Sequence, residues 1–190
     1  MTSHNSCRIV VTGAPGSGKT EFIERLKNED LLAGFVFFEE LARVILSESP
    51  DIRHDRSALH REIFRRQTER EDAIGDKSFI TDRGTVDAFA FHPETMTEVE
   101  TSLEREYRRY TAIIQLGSAA ALGEPYYSKD DVRRESIAEA LAIEAAIRDV
   151  WGAHSQFTFI PACRELEDKY VRFRRQIVQY TTVSRFYMDK

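Results

Sequence analysis

The sequence predicts an α/β protein with a five-stranded parallel sheet that is covered by helices on both faces. One observation and one physical rule support this prediction. Five short apolar segments alternate along the chain with segments in which apolar residues recur at helical spacing. Parallel strands need crossover connections, and right-handed crossovers pack their helices onto the faces of the sheet. The chain has 190 residues, enough for one such domain and too few for two, so we expect residues 1–190 to fold as a single domain.

The predicted strands and the helices of the first half of the chain show this alternation. Over the whole chain, the predicted strands are Ile9–Val11, Phe35–Phe38, Phe79–Thr81, Thr111–Leu116 and Phe157–Ile160. The helices predicted before residue 92 run from about Gly18 to Asn28, Leu41 to Ser47, Ser57 to Ile74 and Val86 to Phe91. Pro50 and Gly75 are residues at which two of these helices have to stop.

Three further helices are predicted in the second half. Their apolar residues are Met96, Val99, Leu103 and Tyr110 in the first, Ile137, Leu141 and Ile147 in the second, and Leu166, Tyr170, Phe173 and Ile177 in the third. The first of them has capping-box spacing at Thr95 and Glu98 and leads directly into the fourth strand. Residues 117–131 lack periodicity, which predicts an exposed segment that is able to move.

A glycine-rich motif, GAPGSGKT, lies between the first strand and the first helix. It comprises Gly13, Ala14, Pro15, Gly16, Ser17, Gly18, Lys19 and Thr20. Glycine allows the backbone angles that turn successive amide N–H groups toward a polyphosphate. In such a loop the lysine reaches the β- and γ-phosphates, the threonine hydroxyl ligates Mg²⁺, and the helix dipole adds positive charge. The motif predicts a nucleotide polyphosphate and Mg²⁺ as ligands, and a glycine-rich turn that matches by chance is the alternative.

Charged residues follow the second and third predicted strands. Glu39 and Glu40 come after the second strand, and Asp82 and Arg83 come after the third. The carboxyl ends of parallel strands meet at one edge of the sheet, so we expect these residues to share a crevice with the glycine-rich loop. Asp82 would then serve a magnesium site and Glu40 would be a second functional carboxylate, while Glu39 would point the other way along the strand. A helix cap for a carboxylate, or a local salt bridge between Asp82 and Arg83, is the alternative.

Composition limits the classes of partner. The net charge of −5 argues against a surface for duplex nucleic acid. The apolar stretch before the glycine-rich loop is too short for a signal sequence, and no segment could span a bilayer. The two cysteines and five histidines lack metal-ligand spacing. We therefore expect a cytoplasmic protein with a small-molecule partner, without nucleic acid or membrane, and we leave a homo-oligomer open.

Four segments in order carry a resemblance to a known family. They are GAPGSGKT, Glu40-Leu41-Ala42-Arg43, Ile63-Phe64-Arg65-Arg66-Gln67 and the stretch from Phe79 to Asp87. Together they resemble the P-loop AAA-type NTPase and kinase family that includes the nicotinamide riboside kinase domain of bifunctional NAD-biosynthesis regulators. The chain is also similar to deoxynucleoside and nucleoside monophosphate kinases. This resemblance implies the P-loop NTPase fold, a sheet in the order 2-3-1-4-5, and a lid near residues 117–135.

The resemblance also implies a task for each charged residue. Lys19, Glu40, Asp82 and Arg83 would form the catalytic set. In this set Thr20 and Asp82 would hold Mg²⁺, Arg83 would steady the acceptor or the transferring phosphoryl group, and Glu40 would accept the acceptor's proton. Gln67 would read the acceptor with its amide, or else be a solvated glutamine. The lid candidates that would neutralise phosphate charge, or else form a solvated helix start, are Lys129, Arg133 and Arg134.

Two other classes of P-loop protein fit the sequence poorly. A water-activating AAA motor carries an acidic residue directly after the third-strand aspartate, and Arg83 occupies that position. A regulatory GTPase needs Asp-x-x-Gly there, and position 85 is Thr85. The leading hypothesis is transfer of the γ-phosphoryl group of ATP to a nucleoside-like or other small acceptor. The alternative is a nucleotide-binding regulator or slow NTPase without an acceptor.

Overall fold

The computed structural model describes residues 6–127 and 135–188, with side chains up to residue 182. Within these residues the strands are β1 (Arg8–Thr12), β2 (Val36–Phe38), β3 (Phe79–Asp82), β4 (Ala112–Leu116) and β5 (Phe157–Ile160). The α-helices are α1 (Lys19–Leu26), α2 (Leu41–Glu48), α3 (Arg56–Ala73), α4 (Asp87–Phe91), α5 (Thr95–Glu98), α6 (Leu103–Tyr107), α7 (Ile137–Trp151) and α8 (Leu166–Met188). Each predicted strand is therefore present, and its ends shift by at most a residue or two.

The strands form one parallel sheet in the order β2-β3-β1-β4-β5. This confirms the predicted fold class and the order 2-3-1-4-5. Val11 of β1 lies in register with Asp82 of β3, so the glycine-rich loop and Asp82 leave the sheet at the same edge. The order reverses next to β1, which is where parallel α/β sheets open a crevice for ligands.

Alternating residues of β1 divide the apolar core between the two faces of the sheet. Ile9 and Val11 pack in a cluster with residues of α1 and α8, whereas Val10 packs in a second cluster with residues of α4 and α7. All five residues of β1 are buried. A strand that is buried on both faces reads as a continuous apolar run, and the helices that cover it confirm the predicted layers.

One predicted helix is two helices in the structure. The chain breaks after α5 at Glu100, which has a φ of 52°, and Ser102 then caps α6 by accepting a hydrogen bond from Arg105 N at 3.3 Å. The capping box predicted at Thr95 is wrong, because Thr95 lies inside α5 and its hydroxyl pairs with His92 Nδ1 at 3.0 Å. A serine that satisfies free amides here competes with the continuing helix.

Part of the segment after β4 packs against the rest of the protein, although the sequence predicts that the whole segment is exposed. Ser118, Ala120 and Tyr127 are buried, and residues 119–122 form a short 3-10 helix. The prediction of an exposed segment is therefore wrong for Ser118, Ala120 and Tyr127, and it holds for Ala121, Glu124, Pro125 and Tyr126, the last of which is 41% exposed. Among the described residues, none of the helices combines the length and apolar composition that crossing a membrane requires.

Candidate functional site

The glycine-rich loop joins β1 to α1 in a backbone conformation that needs glycine for two reasons. Gly13 and Gly16 have φ values of 154° and 74°, which residues with a side chain rarely adopt. A β-carbon on Gly13 would collide with the Leu116 carbonyl oxygen, and one on Gly16 would lie 2.8 Å from the Tyr127 ring. The loop is therefore packed closely against the segment that follows β4, and its shape depends on residues far away in sequence.

Lys19 begins α1 and turns back over this loop. Its side chain is buried, and Nζ donates a hydrogen bond to the Gly13 carbonyl at 2.9 Å. Burial lowers the pKa of Lys19, and the positive charge of Arg83 lowers it further, while Asp82 and Glu40 act in the opposite direction. Thr20, the next residue, is exposed. A buried ammonium beside an exposed hydroxyl is an arrangement that can bind phosphate and a divalent cation together.

Asp82 ends β3 with a buried carboxylate, and its oxygen Oδ1 has no hydrogen-bond partner among the described residues. Burial raises the pKa of Asp82, and Lys19 counteracts this shift. Leaving a buried carboxylate oxygen without a partner costs free energy, and a bound cation would supply that partner. Hydroxyl and carboxylate oxygens are ligands that Mg²⁺ prefers, and Thr20 with Asp82 would supply them.

A compact set of charges surrounds this position. Its members are the cations Lys19 and Arg83 and the carboxylates Glu40, Asp82 and Asp87. Arg43 adds a third positive charge at the exposed edge of this set, with Nε 3.4 Å from Glu40 Oε2. Within the described part of the chain, no three or more His, Cys, Asp or Glu residues cluster as a complete metal site. A cation here would therefore take part of its coordination from phosphate or water.

Glu40 directly precedes α2, where its side chain makes no capping hydrogen bond and instead forms an ion pair inside the site. Arg83 Nε donates to Glu40 Oε1 at 2.7 Å, and Arg83 Nη1 lies 3.4 Å from Asp87 Oδ1. Burial alone would raise the pKa of Glu40, but the charges of Arg83 and Lys19 outweigh it and lower the pKa to about 2. The neighbouring Glu39 is 77% exposed and lies 4.0 Å from Lys27, whereas the Glu40 side chain is 19% exposed.

Arg83 stands in an unusual backbone conformation. Its φ is 70°, and its guanidinium packs over the ring of Phe91 at 4.8 Å from the centroid. The local salt bridge between Asp82 and Arg83, considered as an alternative, does not form among the described residues, because Arg83 pairs with Glu40 and Asp87 instead. A non-glycine residue at positive φ carries strain, which the pairing with two carboxylates from different elements offsets.

A cavity of about 450 Å³ extends from the loop past these charges. Its far wall is lined by Leu59, Ile63, Ala88 and Phe91, together with His60. His60 is buried, and its Nδ1 has no hydrogen-bond partner among the described residues. Apolar walls with a few polar groups are typical of small-molecule sites.

Gln67 reaches the same cavity from α3, and its amide is already engaged. Nε2 donates to Thr81 Oγ1 at 3.0 Å and to Glu71 Oε1 at 2.5 Å, while Oε1 accepts from Arg70. Gln67 is only 2% exposed, so the alternative of a solvated glutamine is wrong. The other acceptor candidates, Lys129, Arg133 and Arg134, lie outside the described residues.

Comparison with known proteins identifies the family. A model described as an AAA domain matches residues 8–169, which is most of the chain. The chain belongs to the AAA domain family. No curated protein gives a match.

Two solved structures share the fold of this AAA domain. The NadR protein in complex with NR resembles it with a TM-score of 0.67 at 17% identity, covering 94% of this chain and 50% of that chain. Deoxyadenosine kinase from M. mycoides, with the products dCMP and a flexible dCDP bound, resembles it with a TM-score of 0.61 at 10% identity, covering 90% and 99%. The AAA domain thus spans about half the length of the NadR chain. Identities this low show a common fold.

Two residues of the AAA domain's site were absent from the sequence-based set. Asp87 is buried and accepts hydrogen bonds from Thr12 Oγ1, Gly84 N and Trp151 Nε1, which makes it the anchor of the loop after β3. Arg83 and Asp87 do not share a helix, so their four-residue spacing did not predict this contact. Lys169 of α8 donates to the Ser17 carbonyl at 2.7 Å across 152 residues of sequence, and no local pattern points to it.

Proposed function

We propose that this AAA domain binds ATP with Mg²⁺ and transfers the γ-phosphoryl group to a nucleoside-like or other small acceptor. The observation that carries the proposal is the buried Asp82 carboxylate, whose unpartnered oxygen belongs to a residue that lines the same cavity as Lys19 and the glycine-rich loop. The cavity continues beyond these charges into apolar walls, which leaves room for a second small molecule. The deoxyadenosine kinase among the similar structures supports phosphoryl transfer as the reaction class.

The residues divide the work as follows. The amides of the glycine-rich loop and Lys19 bind the triphosphate, and Thr20 with Asp82 would hold the magnesium ion. When bound, Mg²⁺ neutralises negative charge on the phosphate oxygens. Arg83 presents a second positive charge beyond Lys19, at the place where the acceptor would meet the phosphate. Gln67 itself lines the cavity, and its hydrogen bonds with Thr81 and Arg70 fix the orientation of its amide there.

Glu40 is the proposed partner of the acceptor hydroxyl. A carboxylate with a pKa of about 2 is fully ionised at neutral pH, so it can accept a hydrogen bond from the hydroxyl before any proton moves. Because it is a weak base, it would take the proton late, when the bond to phosphorus has largely formed and the hydroxyl has become acidic. This role requires Arg83 to share Glu40 with the acceptor.

The Glu40–Arg83 ion pair also favours a second candidate function. If Arg83 keeps Glu40 fully occupied, no base faces the acceptor, and the protein would bind nucleotide as a regulator or hydrolyse it slowly. The two functions differ in one measurable respect. A kinase produces ADP much faster when its acceptor is present, whereas a regulator or slow NTPase does not respond to an acceptor.

A panel of nucleosides, nucleotides and small alcohols tests the proposal. We expect at least one of them to accelerate ADP release, and Glu40→Gln to abolish that acceleration while the dissociation constant for ATP changes by less than about twofold. Glu39→Gln is the matched control, because this neighbouring glutamate is exposed and its removal leaves the site intact. Equal ADP release with and without every acceptor would establish the regulator or slow NTPase instead.

Two assignments stay predictions. The single domain over residues 1–190 and the lid near 117–135 both include residues 128–134, which lie outside the described part of the chain. The start of the segment is pinned against the glycine-rich loop, since Ala119 N donates to the Gly16 carbonyl at 3.1 Å. Any closing movement would therefore begin after this contact.

A further inference from the structure

The six carbonyl groups of residues 13–18 in the glycine-rich loop are all hydrogen-bonded within the protein. In order, the donors are Lys19 Nζ, Ser17 N, Ser118 Oγ, Ala119 N, Lys169 Nζ and Phe22 N. A carbonyl that turned into the loop would repel phosphate, so this complete pairing keeps the concave side of the loop for amide N–H groups.

Lys169 is the charged donor that comes from a distant element. It lies on α8 and is 3% exposed. Its ammonium donates to the Ser17 carbonyl at 2.7 Å and to the Gly117 carbonyl, at the end of β4, at 2.5 Å. One side chain thus ties together the loop, β4 and α8. Ser17 and Gly18 line the described cavity whereas Lys169 does not, so the lysine approaches the loop from behind.

The geometry of the peptide bond gives this contact a consequence for phosphate binding. In a planar trans peptide the C=O and N–H groups point in opposite directions. Because Lys169 holds the Ser17 carbonyl behind the loop, the N–H of Gly18 points toward the cavity. The Gly117–Ser118 peptide is held in the same manner, since Ser118 N donates to the buried Glu144 of α7 at 2.5 Å.

We propose that Lys169 is a positioning residue of the phosphate site, which orients the Ser17–Gly18 peptide and adds a buried positive charge behind the bound phosphates. The inference rests on the nucleotide binding proposed above and assigns to it a residue outside the glycine-rich motif. Its charge is felt because Lys169 is enclosed by the ring of Phe22 at 6.0 Å and by protein atoms in place of water.

The ionisation of Lys169 should make ATP affinity depend on pH, which a side chain with only a packing role would not do. Burial lowers the pKa of Lys169 to about 8, and the positive charge of Lys19 contributes to this, whereas Cys163 and Glu144 act in the opposite direction. A neutral lysine keeps two N–H donors, so deprotonation removes the charge and spares both hydrogen bonds. Raising the pH through this range should therefore weaken ATP binding without loosening the loop.

The test uses Lys169→Met, which keeps the length of the side chain but removes its charge and donors, beside Lys169→Arg and the exposed Arg172→Met on the same helix. Dissociation constants for ATP and adenosine are measured calorimetrically with Mg²⁺ between about pH 7 and pH 9, and circular dichroism checks the fold. We expect Lys169→Met to weaken ATP binding about tenfold or more and adenosine binding less than about twofold. Lys169→Arg should recover most of the loss, and Arg172→Met should resemble the wild type.

The wild-type affinity for ATP should fall as the pH rises from about 7 to 9, and this fall should be smaller in Lys169→Met. Wild-type ATP affinity in folded Lys169→Met overturns the inference. If that variant does not fold, a wild-type affinity that is constant over the pH range overturns it instead. Lys19→Ala distinguishes a failure of the proposed function from a failure of the Lys169 inference. An unchanged ATP affinity in Lys19→Ala contradicts the proposed function itself. A loss of ATP affinity in Lys19→Ala together with an unchanged affinity in Lys169→Met contradicts the inference alone.

Discussion

Asp82 shows at the scale of one residue how function and stability oppose each other. Burial raises the pKa of Asp82, which means that the folded protein holds this carboxylate at a cost when it is ionised. Lys19 offsets part of the cost, and Oδ1 has no hydrogen-bond partner among the described residues. Sites that wait for a ligand commonly carry such unfavourable groups.

Replacing this carboxylate should therefore separate the two properties. We expect Asp82→Asn to have an equal or higher free energy of unfolding than the wild type, since the variant buries no charge. Its Mg²⁺-dependent affinity for ATP should fall about tenfold or more, because an amide is a poor magnesium ligand. Urea denaturation and calorimetry with and without Mg²⁺ measure the two effects, with the exposed Asp76→Asn as the control. Full magnesium dependence in Asp82→Asn would remove Asp82 from the metal site.

At the scale of one element, α7 shows how a buried hydrogen bond places a charged residue on the inward face of a helix. The apolar pattern predicts Leu141 beside Ile147, but Leu141 is 37% exposed and Ile147 is fully buried. The inward stripe is instead Ala140, Glu144, Ile147 and Trp151, whose spacing of three and four is ideal for a helix. Glu144 belongs to this face because it accepts the Ser118 amide behind the glycine-rich loop.

This assignment predicts unequal costs for two similar truncations in α7. Ile147→Ala opens a cavity in the core between α7 and the sheet and should lower the free energy of unfolding by about 2–5 kcal/mol. Leu141→Ala removes a side chain of the same size from a partly solvated position and should change it by less than about 0.5 kcal/mol. Urea denaturation followed by circular dichroism compares them. Equal losses in the two variants would show that Leu141 is also part of the core.

At the scale of the whole molecule, buried histidines couple folding to pH. Burial lowers the pKa of His60 to about 4, and neighbouring positive charges, including Arg56 and Arg83, contribute to the shift. The pKa of His154 is lowered by burial too. An unfolded chain binds these protons near pH 6.5, so between about pH 6.5 and 4 it holds more protons than the folded protein. The free energy of unfolding therefore falls as the pH is lowered through this window.

Glu40 extends the loss of stability to lower pH. Its folded-state pKa of about 2 lies below the ordinary value of 4.5, so its contribution is present above that value and disappears as the pH falls from 4.5 to 2. We expect His60→Phe to flatten the dependence between about pH 6.5 and 4, with the exposed His54→Phe as the control. Urea denaturation at several pH values measures the slope. A slope in His60→Phe equal to that of the wild type would place the titrating group elsewhere.

Much of this molecule can be inferred from local pattern. The glycine-rich loop, the five strands and the position of Asp82 at a strand end all follow from spacing over a few residues, because backbone angles and burial on a sheet depend on near neighbours. The order of the strands followed from resemblance, and the structure confirms it. The division at Glu100 was missed because a serine cap and a continuing helix compete at similar free energy.

The contacts between distant segments lie beyond that reach. Three contacts depend on how whole elements pack. Arg83 pairs with Glu40 and Asp87, and Gln67 donates hydrogen bonds to Thr81 and Glu71. Lys169 donates a hydrogen bond to a carbonyl 152 residues away in sequence. A local pattern can say that a side chain is charged and near a strand end. Only packing sets which opposite charge it meets, since a partner for a buried charge lowers the cost of burial and the fold decides which segment supplies it.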